Sequence, residues 1–199
     1  MGATITQSDA TEEAAFTVIF EEDDFELRDY EPQIVAEVVV TSDFEQAGNR
    51  AFNTLFQYIS GHNHSQNRIA MTSPVGQKPA GEKIAMTAPV GQVAEGDRWA
   101  VSFMMPATYT METVPQPRDP EVRLREIPAR RMAAVRYSGR WSERSFHEHK
   151  EALNEWIKAH NWEIVGEPVW ARYNAPFTPW FMRRNEILIP VASDELAVR

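Results

Sequence analysis

The sequence contains no cysteine among its 199 residues. This absence excludes a disulfide framework, thiolate catalysis, and zinc or iron–sulfur centres held by cysteine. No run approaches the roughly 18 to 20 uncharged apolar residues that a membrane-spanning helix needs. The chain also lacks a glycine-rich phosphate loop, a Gly-x-Ser-x-Gly elbow and a His-Glu-x-x-His motif, so no familiar enzyme centre stands out.

Positive charge is also scarce. Lysine and arginine number 20 against 29 acidic residues, which gives a formal net charge of −9. Such a chain repels phosphate backbones, so we do not expect a nucleic-acid partner. Six arginines nevertheless lie within residues 123–140, which is compatible with a locally basic surface.

The overall composition, 43% hydrophobic and 25% charged, is typical of a soluble domain with a buried core. We expect one domain over residues 16–191, between polar tails at 1–15 and 192–199. The first 17 residues lack the basic segment and apolar core of a secretory signal, which favours the cytoplasm. The sequence does not indicate an oligomeric state.

The first half of the chain has the residue pattern of strands followed by a helix. Asp43 is a predicted helix N-cap, apolar residues recur at helical spacing over residues 44–59, and Gly61 marks the stop. Strands rich in β-branched and aromatic residues are predicted before the helix, at 17–20, 25–30 and 33–41.

The same order returns about 97 to 100 residues later, which predicts an internal duplication with halves at about 16–110 and 111–191. Residues 131–137 predict a strand, and Ser142 caps a second amphipathic helix. Each helix has one apolar stripe, so we predict an α+β domain in which both helices cover an antiparallel sheet. Further strands are predicted at 99–105, 167–173 and 185–191.

A second, shorter repeat has a higher sequence identity between its two copies. Residues 68–77 (RIAMTSPVGQ) match residues 83–92 (KIAMTAPVGQ) at eight of ten positions. The intervening segment 78–82 contains proline and glycine, so the copies either pair as a hairpin or one loops out. We expect one copy to lie in the sheet.

Several of these segments resemble, in order, the signature blocks of the SOUL haem-binding family, and the resemblance spans residues 16–191. The blocks are FELRDYEP at 25–32, LFQYISGHN at 55–63, KIAMTAPV at 83–90, WAVSFMMP at 99–106, NAPF at 174–177 and RNEI at 184–187.

The resemblance implies two pseudo-twofold βαββ repeats that form an antiparallel sheet or distorted barrel flanked by two helices. It also implies non-covalent binding of haem or a related porphyrin in an apolar groove, for haem buffering or transport. The fold is similar to the effector-binding domains of multidrug-responsive bacterial regulators. Their groove between the halves takes apolar ligands.

Haem requires a flat apolar slot, cations or other donors for its propionates, and usually an axial ligand. Thioethers and aromatic rings adapt to a planar ligand, and the first residues of the short repeat supply cations beside them. For the slot we predict Met71, Met86, Phe52, Leu55 and Phe56, and for the propionates Arg68 and Lys83.

The axial ligand is less clearly specified. Some family members have a proposed histidine ligand before the Tyr-Glu pair, where this chain has Asp29. His62 and His64, in the loop after the first helix, are the remaining candidates for iron ligation. Binding through apolar contacts, without any protein ligand, is the alternative.

Three other functions remain open. The first is a binding module for other apolar small molecules. The second is an enzyme that uses the groove, either a hydrolase or a haem-processing enzyme. For a hydrolase, the candidate catalytic groups are Glu37, Tyr109 and Glu186. An interaction scaffold is the third alternative, because the aromatic pair Trp180 and Phe181 suggests an exposed patch.

Overall fold

A computed structural model of the chain describes residues 11–66, 81–175 and 177–193. The two helices are α1 (Phe44–Ile59) and α2 (Glu143–Ala159). The strands are β1 (Glu12–Glu13), β2 (Phe16–Glu22), β3 (Phe25–Tyr30), β4 (Gln33–Val40), β5 (Asn63–His64), β6 (Thr87–Ala88), β7 (Val90–Glu95), β8 (Arg98–Met104), β9 (Gln116–Pro117), β10 (Arg123–Ile127), β11 (Arg130–Tyr137), β12 (Val169–Arg172) and β13 (Asn185–Pro190).

Nine of these strands form one curled antiparallel sheet, a half-barrel, in the order β10-β4-β8-β7-β12-β13-β11-β3-β2. Strands β7 and β12 pair at its centre and align Val90 with Arg172. Both helices pack on one face of the sheet. The predicted α+β class, with two helices on an antiparallel sheet, is confirmed. Within the described residues, neither helix is long and apolar enough to cross a membrane.

Helix α1 begins where the sequence predicts. The carboxylate of Asp43 accepts a hydrogen bond from the backbone N–H of Gln46 at 2.8 Å, which satisfies one free donor of the first turn. Its apolar stripe then packs on β4 and β8, with Ala47, Ala51 and Leu55 fully buried. Burial of this stripe fixes which helix face remains available for other contacts.

Helix α2 is organised in the same way. Ser142 accepts a hydrogen bond from the backbone N–H of Ser145 at 3.3 Å, as an N-cap does. Phe146, Leu153 and Ile157 are buried against the second half of the sheet, in a core that includes Trp170. The cap and the apolar stripe predicted for this helix are both present. The division into two repeats stays a prediction.

The sheet face opposite the helices holds a charged cluster. Arg28 and Glu186 are both buried, and Nη1 of Arg28 donates to Oε2 of Glu186 at 2.7 Å. The Tyr173 hydroxyl and Nε of Arg184 donate to the same carboxylate at 2.8 and 2.9 Å. Burial alone would raise the pKa of Glu186, but these donors outweigh it and lower that pKa. The carboxylate is therefore ionised, and its oxygens already accept hydrogen bonds from Arg28, Tyr173 and Arg184.

The polar N-terminal segment reaches this second face. Strand β1 pairs in parallel with β6, and the backbone carbonyl of Ala15 accepts a hydrogen bond from Glu31. Residues 11–15, which we assigned to a tail, therefore contact the domain. The rest of that tail, and residues 194–199 of the other, lie outside the described residues.

A candidate ligand-binding groove beside helix α1

A groove of about 300 Å³ lies where the middle of α1 passes the central strands β7 and β12. This volume is at the lower end of the range for small-molecule sites. The described residues that line it include no aspartate or glutamate. They are Gly48, Asn49, Phe52 and Asn53 from α1, Val90 from β7, Arg172 from β12, and the loop residues Trp141 and Asn174.

One wall of the groove is aromatic. The ring of Phe52 stacks on Phe56, with 5.9 Å between centroids and 10° between planes, and meets the ring of Phe103 edge-on. Phe56 is 47% exposed, so the apolar wall continues onto the surface along α1. Trp141 stands elsewhere in the lining, and its indole N–H donates to Asn185 at 2.8 Å. The stacked rings of Phe52 and Phe56 offer a planar apolar ligand an aromatic surface here.

Arg172 is the charged group of the groove, and it is 7% exposed. Its Nη2 donates to Oε1 of Gln92 at 2.9 Å, but its buried Nε has no hydrogen-bond partner among the described residues. The guanidinium carbon lies 4.6 Å from the Trp170 ring centroid and 5.3 Å from that of Trp141. Burial lowers the pKa of Arg172 to about 10, because none of the described carboxylates lies close enough to offset the loss of solvent.

Gly48 makes room for this guanidinium. A β-carbon on Gly48 would lie 2.0 Å from Nη2 of Arg172 and 2.6 Å from Nη1. Glycine within a helix costs about 1 kcal/mol relative to alanine, so its presence here requires a local reason. The close approach of Arg172 to the helix backbone supplies that reason.

The loop between β12 and β13 borders the groove through Asn174. Arg183 in this loop lies over the Trp141 ring, 4.2 Å from its centroid. A short 3-10 turn at Trp180–Met182 precedes Arg183. Four of the loop's large apolar side chains are exposed, and three of them are consecutive in the sequence. They are Phe177, Trp180, Phe181 and Met182.

The structure separates the predicted slot residues. Phe52 lines the groove, and Phe56 continues its wall. Leu55 is fully buried in the core between α1 and the sheet. Met86 and Lys83 are exposed and are not part of the lining. Arg68 and Met71, with the whole first copy of the short repeat, lie outside the described residues.

The predicted iron ligands His62 and His64 follow the last turn of α1. Both are exposed, and His64 pairs with Gln116 across β5 and β9. The groove lies beside the middle of the helix, and at 1.5 Å per residue the six steps from Asn53 to Ile59 span about 9 Å. Neither histidine is in the groove lining. Their role as iron ligands stays a prediction.

A larger open cavity, of about 680 Å³, is less suited to an anionic ligand. Five carboxylate side chains surround its methionine-containing floor, so a ligand with propionates would meet like charge. They are Glu12, Glu13, Glu31, Glu112 and Glu126. We therefore consider the smaller groove the better candidate.

The three groups considered for hydrolysis are each bound to a different partner. Glu37 pairs with Arg125 at 2.6 Å, and the Tyr109 hydroxyl donates to Glu82 at 2.8 Å. Glu186 is enclosed by the donors of the opposite sheet face. None of the three lines the groove.

Known structures match the fold but share little sequence with this chain. The EcmrR C-terminal domain gives a TM-score of 0.61 at 11% identity, over 85% of this chain and 97% of that one. A hydrolase from Listeria innocua gives 0.53 at 13% identity, over 87% and 94%. An uncharacterised conserved protein from Listeria innocua gives 0.52 at 10% identity, over 92% and 94%. These likenesses show a shared fold.

Sequence comparison gives the family. The profile of the SOUL heme-binding protein family matches residues 11–190, which is most of the chain. The comparison with curated protein sequences gave no match. The chain therefore belongs to the SOUL heme-binding protein family, as its signature blocks predict.

Proposed function

We propose that the groove beside α1 binds haem or a related tetrapyrrole non-covalently. The observation that carries this proposal is an apolar, aromatic-walled groove without carboxylates among its described lining residues, in a chain of a haem-binding family. Phe52, Val90 and Trp141 would contact the ring through apolar surface. The exposed aromatic side chains of the β12–β13 loop would cover ring area that a volume of about 300 Å³ leaves outside.

The ligand's metal has a minor role in this proposal. The described residues that line the groove include no histidine, methionine or tyrosine, which are the usual protein ligands of haem iron. Binding through the macrocycle alone predicts that metal-free protoporphyrin IX binds about as well as hemin. A groove open to solvent also favours reversible exchange, as haem buffering or transport in the cytoplasm requires.

An absorption titration with hemin tests the proposal. We expect a saturable change in the Soret band, because the ring moves from water into an apolar site. Asn53→Trp places a large side chain in the groove lining without touching the core, and we expect at least about tenfold weaker binding. Arg50→Trp is the matched control, because Arg50 is exposed on the same helix but does not line the groove.

Two results would contradict the proposal. One is the absence of a saturable Soret change with the unmodified protein. The other is equal weakening by Asn53→Trp and Arg50→Trp, which would place the ligand elsewhere. A parallel titration of His62→Ala and His64→Ala tests the remaining iron ligands: unchanged spectra support binding without a protein ligand, and an altered Soret position contradicts it.

A further inference from the structure

The groove contains a buried cation that has no counter-ion in the part of the chain that the structure describes. Arg172 makes no ion pair with any described residue, and it is one of the residues that line the groove. We propose that Arg172, held over Gly48, is a receptor for one carboxylate of the groove's ligand. This inference rests on the proposal that the groove is the ligand site. It adds a selectivity, because a ligand with a free carboxylate would be preferred over its ester.

The energetic argument begins with desolvation. Removing a guanidinium from water is unfavourable unless hydrogen bonds and opposite charge replace the lost solvent. Gln92 supplies one neutral acceptor, and the faces of Trp141 and Trp170 supply cation–π attraction. The donor Nε is left without a partner among the described residues. A carboxylate supplies both the missing acceptor and the missing negative charge.

Two other arginines of the chain are each paired with a carboxylate and serve as a comparison. Arg28 pairs with Glu186, Arg131 pairs with Asp29, and each guanidinium group donates two hydrogen bonds to its partner carboxylate. Arg130 also has a buried Nε without a partner, but it lies in a small cavity on the opposite face of the sheet and is partly exposed. Among the arginines that the structure describes, Arg172 is thus the one that lines the groove, and Arg130 serves as its matched control.

Gly48 determines where the guanidinium lies. The separation of 2.0 Å between its missing β-carbon and Nη2 of Arg172 is far below any real contact. Any side chain at position 48 would therefore displace the guanidinium from this place. The glycine and the arginine act together, although 124 positions separate them in the sequence.

The first experiment compares hemin with hemin dimethyl ester, which keeps the ring and removes the negative charge. We expect the unmodified protein to bind hemin at least about tenfold more tightly, as a charge-assisted hydrogen bond allows. Arg172→Gln and Gly48→Ala should each abolish this preference, whereas Arg130→Gln should retain it. If the unmodified protein binds both compounds equally, or Arg172→Gln keeps the preference, the receptor is overturned and the tetrapyrrole proposal stands.

A second experiment does not depend on haem. In ¹⁵N-labelled protein, the Nε–Hε cross-peak of Arg172 is identified by its absence in Arg172→Gln. We expect this peak to shift on addition of 3-phenylpropionate, but not of its methyl ester. If no tetrapyrrole binds and the peak still responds in this way, the tetrapyrrole proposal fails and the receptor stands. If the peak is unmoved by both compounds, or moved equally, the receptor is overturned.

Discussion

Two buried arginines on opposite faces of one sheet have different surroundings. Arg28, 1% exposed, is held by Glu186 and Glu26 at 2.7 and 2.6 Å. Arg172, 7% exposed, has a neutral amide and two indole faces. Burial tends to lower the pKa of both, but the bonds and charge of Glu186 raise that of Arg28, whereas the pKa of Arg172 falls to about 10.

The difference separates a structural role from a binding role. The Arg28 cluster satisfies its own charges, so a ligand would have to displace bonds already made. The groove leaves one charge unsatisfied, so a ligand adds a bond without breaking one. Burial of a charged side chain therefore does not by itself identify a site. What matters is whether the protein supplies the counter-ion.

The largest loss of stability is expected when the ion pair between Arg28 and Glu186 is broken. Glu186→Gln removes the negative charge but keeps the shape, so the partly exposed Glu26 becomes the one carboxylate among the described residues that pairs with the buried Arg28. We expect a loss of about 3 to 5 kcal/mol in the free energy of unfolding, measured by urea denaturation. The control Glu95→Gln breaks an exposed pair with Arg98 and should cost less than about 1 kcal/mol.

The pH dependence sharpens this test. The folded-state pKa of Glu186 is lowered, so its contribution to stability is present above its unfolded pKa, about 4.3, and is lost as pH falls through the folded value. The stability gap between the unmodified protein and Glu186→Gln should be constant from about pH 6 to 8 and shrink below about pH 4. A gap that stays constant at acid pH would mean that the ionised carboxylate is not its source.

A smaller change in stability is expected when Gly48 is replaced, and its sign should depend on whether Arg172 is present. Gly48→Ala alone forces the guanidinium, the far end of a flexible side chain, outward, and we expect a loss of about 1 kcal/mol from overpacking. In an Arg172→Ala background the same change meets no guanidinium, and alanine's better helix propensity should stabilise the protein by about 0.5 to 1 kcal/mol. Urea denaturation of the four proteins measures this cycle. Equal effects in both backgrounds would contradict the close contact.

The sequence predicts much of the fold, because local chemistry determines the elements. The caps at Asp43 and Ser142, the apolar stripes of both helices and most strands are read from spacing and turn residues. The groove was predicted only in part. Phe52 has the right helical phase to line it, whereas Leu55 lies about 60° further round the helix, where the side chain is fully buried against the sheet.

The remainder of the site depends on contacts between distant segments. Arg172 belongs to a short strand whose alternation gives no hint that its partner on the helix is a glycine. Trp141 lies in a loop whose path is set by tertiary packing. One signal was present: a glycine inside an amphipathic helix, at position 48, marks a place where something approaches the backbone closely. Finding what approaches required the structure.

The contact between Gly48 and Arg172 also has an evolutionary consequence. A lineage that replaces the glycine first crowds the arginine, and one that shortens the arginine first leaves an empty space beside the helix. Each single step passes through a poorer protein, while the double change is tolerated. The two positions should therefore be inherited together, and a relative with a bulky residue at the first should have a small one at the second.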